Sequence, residues 1–313
     1  MNVDGFTQDL SRKADLLTQL RDTGFDWSDV AHRPIVFLGM GSSHFAASTI
    51  SHLLNRVIPH SSAVLASTSA LPAFAQDSAV IAISATGKSV ETLSSFEKVP
   101  SGVTRIALTN DVDSPISRIT DKVIDMKAGV EKGEVASLSY LATLVALLRL
   151  AQKRKAIELN SNVFDKASEA LHHIHDTRFE WLPKLTQALI GNDGTYFSAP
   201  LERLCSAQQS ALMLRECPRL SAVATEVGDW SHIDVYLTKT KDYRLALFPG
   251  SPWQSQLLEW TTKRNSTVVC IGHEHPRAQL NLRYPHDDDE LVRLLVEPSF
   301  AELLSADLWA LQK

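Results

Sequence analysis

The run Ile35-Val36-Phe37-Leu38 is too short for a helix and apolar on both faces, so it reads as a central strand that needs helices covering each side. Gly39-Met40-Gly41 follows, and Ser42-Ser43 then opens a helix that reaches Ile50. Further short apolar runs lie at 63–65, 79–83, 105–108 and 122–126, each separated by enough chain for a crossover. Strands alternating with helices predict an α/β fold built on a parallel, doubly wound sheet. Its ligand crevice should lie beyond the carboxyl ends of the strands.

Three of those ends are rich in hydroxyls. After the first strand, Gly39 and Gly41 let the backbone turn sharply, and Ser42 and Ser43 stand beside the unpaired N–H groups of the next helix. That suits an anion such as phosphate, although Ser42 as a simple N-cap would give the same sequence. After Val80-Ile81-Ala82-Ile83 comes Ser84-Ala85-Thr86-Gly87-Lys88-Ser89, a second anion nest. Lys88 either adds a charge to the phosphate or is a solvated loop lysine. The third loop spans residues 128–137 and feeds an apolar helix over 135–150. There Ser137 either points into the crevice or caps that helix, and Glu131 and Glu134 either bind a polyol or favour the helix N-terminus.

A surface helix is expected over residues 6–22, and polar helical sequence without Pro or Gly over 152–178 places a domain junction near residue 160 on a helix. The expected domains are 1–160, with the N-terminal helix and the phosphate loops, and 161–313. The second half repeats the plan with strands at 195–197, 244–248, 267–271 and 280–284 and a helix over 201–215. Its first turn, Ser198-Ala199-Pro200, lacks the glycine turn and one N–H donor, which predicts a single phosphate pocket, in the first domain.

A length of 313 residues allows two cores, and a net charge of −5 argues against a nucleic-acid or anionic-membrane binder. Any anionic ligand must be held by local donors. Cys205, Cys217 and Cys270 have no paired spacing, which points to reduced thiols and a cytoplasmic protein. The N-terminus has no apolar core of the signal-peptide kind, and the helix over 135–150 is shorter than the roughly 20 apolar residues a bilayer needs. His172, His173 and His175 diverge along a helix, and Asp287-Asp288-Asp289-Glu290 opens a helix that ends near Val296, so neither these nor His273-Glu274-His275 predicts a metal site. Gly39-x-Gly41 without a third glycine does not predict NAD, and no cofactor is expected.

Together these features resemble the sugar isomerase (SIS) domain family, in the tandem arrangement of the isomerase half of glucosamine-fructose-6-phosphate aminotransferase. Met40-Gly41-Ser42-Ser43 is similar to the family's C-G-T-S turn, and Ser84-Ala85-Thr86-Gly87-Lys88-Ser89 to its S-Q-S-G-E-T loop. Ala128-Gly129-Val130-Glu131, followed by Val135-Ala136-Ser137, is similar to A-G-x-E-x-x-V-A-S-T. Thr109-Asn110 and Ser114-Pro115 also fall where the family has a T-N pair and a serine-containing segment. The resemblance covers nearly the whole chain. It implies two SIS domains in tandem and a sugar 6-phosphate held by Ser43, Ser84, Thr86 and Ser89, with Ser42 and Ser137 nearby. In the second half, the segments 210–216 and 225–232 resemble the family's G-A-L-K-L-K-E and G-E-L-K-H, and Glu216 and His232 stand sixteen positions apart, as the family's catalytic pair does.

The implied chemistry is proton transfer between C1 and C2 of an open-chain sugar, with Glu216 as shuttle and His232 as ring opener. A carboxylate at a helix end in a cleft can be raised toward neutral pH, and an imidazole titrates there unaided. Several positions depart from the pattern. Met213 replaces a lysine, Ala85 and Lys88 replace a glutamine and a glutamate, Pro218 follows Glu216 closely, and the chain ends at Lys313 without the family's usual tail. Met1 is followed by Asn2 rather than a cysteine nucleophile, so glutamine-dependent transfer is not expected. The resemblance therefore implies a phosphosugar isomerase or an aminosugar-phosphate deaminase, working as a homodimer with shared active sites, since the family's histidine can come from the partner. The alternative is a non-catalytic phosphosugar sensor.

Overall fold

The computed structural model describes residues 1–312 other than 31, 58 and 76. Lys313 lies outside the described residues. The chain forms two compact units, one made of residues 19–130 and 138–161, the other of residues 1–18, 131–137 and 162–313.

The first unit holds a five-stranded sheet: β1 (Ile35–Gly39), β2 (Ser62–Leu65), β3 (Ala79–Ile83), β4 (Thr104–Thr109) and β5 (Lys122–Asp125), in the order β2-β1-β3-β4-β5. Every pairing is parallel. The central strands β1 and β3 are buried along their full length, as an apolar run without alternation requires. Helix Leu138–Lys153 is buried almost all round and packs on helix Gly41–Leu54, which explains its apolar sequence without a membrane. Among the described residues no helix is long and apolar enough to cross a bilayer.

The second unit repeats the architecture with β6 (Thr195–Ala199), β7 (Ala222–Glu226), β8 (Arg244–Leu247), β9 (Thr267–Ile271) and β10 (Leu280–Leu282), all parallel and ordered β10-β9-β8-β6-β7. The chain is thus α/β with two tandem doubly wound domains. Strand β7 escapes the sequence because it is an edge strand whose one large apolar residue, Val223, is 47% exposed.

Two helix boundaries differ from the expected ones. The stretch 6–22 is two helices, Val3–Ser11 and Lys13–Arg21, broken at Arg12, whose N–H turns back to the carbonyls of Asp9 and Leu10. No Gly or Pro marks that break. The first of these helices packs on helix Pro298–Ala310, where Phe6 meets Trp309, and Lys13 at the start of the second is bound to Glu302 and to Ser299 Oγ at 3.1 Å. Residue 160 is also not on a helix. Lys155 adopts φ 59°, Ala156 N–H bonds the Ala151 carbonyl, and the next helix starts at Asn162. This left-handed stop on a lysine has no glycine to announce it.

Candidate functional site

In the first sheet β1 connects outward to β2, and the chain then crosses to β3 on the other flank of β1, so the topological switch point lies between the carboxyl ends of β1 and β3. A doubly wound sheet offers its crevice there. Both hydroxyl loops emerge at that place.

At the end of β1, Gly41 takes the left-handed φ of 49°, and a Cβ on Gly39 would lie a tight 3.1 Å from Ser43 Cβ, so both glycines suit the turn. The helix starts at Gly41 with Met40 as N-cap and has no side-chain cap. Ser42 is therefore not the cap. It lies in the first turn and is 8% exposed, and Ser43 follows it at the open helix N-terminus. At the end of β3, Ser84 N–H bonds the Leu108 carbonyl of β4, and Gly87, at φ 63°, closes a turn back to Ser84. A Cβ on Gly87 would fall 1.9 Å from Ser114 Oγ, so the loop folds tightly over the start of the turn Pro115–Ile119. Thr86 is exposed. Ser89 caps helix Val90–Glu97, accepting from Thr92 N and from Thr92 Oγ1 at 3.0 Å. Lys88 stands 3.6 Å from Asp111, with both side chains exposed. Asn110 ties the neighbouring loop to this edge by accepting from Ala128 N and donating to the Gly129 carbonyl.

The second sheet has the same switch point, between β6 and β8, and an arginine fills it. Arg203, in the turn Leu201–Arg203 after Pro200, is 2% exposed and binds Glu297 through Nε at 3.1 and 3.2 Å, Glu290, and the Pro249 carbonyl that follows β8. Two carboxylates around that guanidinium already supply the negative charge an anion would bring. The sequence difference at this turn thus has a structural counterpart that the sequence did not name.

The loop 131–137 belongs to the second unit, although the chain reaches it from the first sheet. Glycines make that possible, because a Cβ on Gly5 would meet the Lys132 carbonyl at 2.4 Å and one on Gly133 would meet Phe6 Cα at 2.5 Å. Gly133 N–H also bonds the buried Asp9 carboxylate. Glu131 accepts the Ser137 N–H at 2.8 Å, and Glu134 pairs with the chain's amino group. Ser137 does not cap the helix that follows, since its buried hydroxyl has no partner among the described residues.

Glu216 is the last residue of helix Leu204–Glu216, which is closed by Arg219 at φ 60° and the bond from Leu220 N–H to the Leu214 carbonyl. Gln209 is fully buried and donates to the Ala136 carbonyl at 2.8 Å, so loop 131–137 docks on the face of the helix that carries position 216 two turns later. The carboxyl of Glu216 is raised above its ordinary value, first by burial and then by the Glu131 charge, with Arg219 opposing. Next to it, burial pushes the Cys217 thiol up to about 12, so Cys217 is a neutral packing residue. Met213 is fully buried in the same helix.

His232 lies elsewhere. It follows β7 and the short helix Val227–Trp230, is exposed, and holds the Asp229 carbonyl through its backbone N–H. Helix Leu204–Glu216 returns the chain from the carboxyl end of β6 to the start of β7, and His232 stands past the end of β7. The five residues of β7, about 15 Å of strand, thus lie between the two positions along the chain. Within one chain Glu216 precedes the start of β7 and His232 follows its far end.

Residues 31–153 match the SIS domain family. That stretch is similar to a SIS domain. Its match spans β1 to β5 and includes both hydroxyl loops. Over 250 residues the chain is 26% identical to a glutamine–fructose-6-phosphate aminotransferase (isomerizing) from Campylobacter jejuni, covering 76% of this chain and 42% of that protein. The chain thus spans less than half the length of that relative. Among solved structures, the C-terminal domain of glucosamine-fructose-6-phosphate aminotransferase from Francisella tularensis superposes with a TM-score of 0.77 over 99% of both chains at 18% identity. Glucosamine-6-phosphate deaminase from Thermotoga maritima gives 0.76 over 98% of this chain and 95% of its own at 16% identity. At these identities the likeness establishes a fold built of two tandem SIS-type domains.

Proposed function

We propose that the protein is a sugar-phosphate isomerase or aminosugar-phosphate deaminase that moves a proton between C1 and C2 of a sugar 6-phosphate. The observation that carries this reading is the convergence of two hydroxyl loops on one switch point inside the SIS domain, while the equivalent point of the second sheet is closed by Arg203. Ser43, Ser84 and Thr86, with Ser42 beside them, supply hydroxyl and helix N-terminal N–H donors for the phosphate. Ser89, as the cap, holds the second helix N-terminus in place. Ser137 adds a hydroxyl from loop 131–137. Glu216 is the proton shuttle, its raised carboxyl suited to a base working near neutral pH, and His232 opens the sugar ring.

The placement of Glu216 before β7 and of His232 past its far end supports a homodimer in which each site takes its histidine from the partner. The exposed apolar side chains of Val223, Ile233, Tyr236 and Trp253 in the same domain support it further. Three buried cysteines that form no disulfide fit a cytoplasmic setting. A non-catalytic sensor is favoured by one observation, the burial of Met213 where the aminotransferase family has a lysine.

The phosphate assignment is tested by calorimetric titration with a ketohexose 6-phosphate and with the unphosphorylated sugar. The phosphate ester should bind and the free sugar should not. Ser84→Ala with Thr86→Ala should weaken binding by about tenfold or more, on the scale of hydrogen bonds to a charged group. Equal affinity for the two sugars, or an unaffected double variant, would overturn the assignment.

A further inference from the structure

The turn that presents His232 rests on a buried polar clasp that the proposed reaction leaves unexplained. Trp230 and Asp234, which flank it, are 0% and 4% exposed, whereas His232 is exposed and Ile233 is 53% exposed. Both flanking side chains end on the Tyr243 hydroxyl. Trp230 Nε1 donates to it at 2.7 Å, and it donates in turn to Asp234 Oδ2 at 3.1 Å. The same carboxylate oxygen accepts from Thr225 Oγ1 of β7 at 2.9 Å. Tyr243 is itself held between rings, stacked on Tyr196 at 4.1 Å and edge-on to Trp230 at 6.2 Å. Arg264 fastens the next turn by donating to the Val235 carbonyl and to Thr238 Oγ1.

A core of this kind has no need of a carboxylate. Burying one is costly unless it is bonded, and here its Oδ2 accepts two hydrogen bonds and a third joins Trp230 to the same tyrosine, around a turn whose exposed side chains are His232 and Ile233. Closing both ends of the turn onto one hydroxyl fixes where the imidazole points. An exposed histidine on an unclasped loop would sample many directions and meet a ring oxygen rarely.

We propose that Tyr243 and Asp234 are positioning residues that aim His232 for ring opening, an inference that rests on the role given to His232 above. The substrate pair that isolates this step is a ketohexose 6-phosphate, which is mostly ring-closed, and its 5-deoxy analogue, which lacks the hydroxyl that closes the furanose and stays open. Tyr243→Phe should lower kcat about tenfold on the first and by less than about threefold on the second, with KM little changed on either. Thr225→Val, which removes a different bond to the same oxygen, should lower kcat in the same pattern and keeps the test open if Tyr243→Phe folds poorly.

Equal losses on both substrates, or no loss on either, would overturn the proposal. His232→Ala run in parallel separates the two readings, since full activity in that variant would remove the role of His232 rather than the clasp. Independently of activity, amide hydrogen exchange over residues 231–233 should quicken in Tyr243→Phe by about tenfold or more, and unchanged exchange there would contradict the clasp.

Discussion

Replacing Glu216 by Gln is expected to lower turnover on a ketohexose 6-phosphate about a thousand-fold, the scale on which a positioned general base contributes. The same change should leave the protein at least as stable as before. The folded-state value of the Glu216 carboxyl is raised, so folding binds its proton more tightly than unfolding does. Its stabilising contribution is complete below the ordinary carboxylate value and is lost as pH rises through the raised one, so ionised Glu216 weakens the fold near neutral pH. Removing that charge should hold or raise the melting temperature at pH 7 to 8, whereas a purely structural carboxylate would lower it when lost. Because the base must be ionised, the acid limb of kcat/KM should fall above the ordinary 4.5 of a glutamate. A limb at or below that value would remove Glu216 from the role.

The second large effect concerns assembly. Glu216→Gln and His232→Ala should each be nearly inactive alone, yet a one-to-one mixture refolded together should recover about a quarter of wild-type activity, because half the dimers are mixed and each mixed dimer contains one intact site. The geometry asks for this, since helix Leu204–Glu216 ends at the start of β7 and His232 follows its far end. Recovery depends on subunit exchange, so mixing without refolding should give less. A mixture as inactive as its parents would mean that both groups serve one chain's site or that the chain works as a monomer.

The parts of this arrangement that were legible in the sequence are the local ones. Ile35 to Leu38 carries its own evidence of burial on both faces, Gly39 and Gly87 mark turns where a side chain would crowd its neighbours, and Gly41 marks a left-handed one. The hydroxyl loops follow from those strands and turns. What the sequence hid is long-range or edge-like. Strand β7 lacks an apolar pattern because only one face of an edge strand needs one. Nothing near Gly133 says that its partner is Phe6, and nothing near Gln209 says that it holds Ala136. The Arg203 plug and the Tyr243 clasp join residues tens of positions apart in the case of Arg203 and Glu297, and around a turn in the case of Trp230 and Asp234. A carboxylate set between Ile233 and Val235 was the one local sign of the clasp.

The central claim is that the chain moves a proton on the carbons next to the sugar carbonyl. Incubating the wild-type protein with ketose and aminosugar 6-phosphates in heavy water and reading the C1 and C2 positions by proton NMR tests it directly. Deuterium should enter one of those carbons with at least one member of the panel, and Glu216→Gln should abolish the exchange while still binding the sugar phosphate. Binding by the wild-type protein with no deuterium incorporated across the panel would contradict the enzyme and leave a phosphosugar sensor.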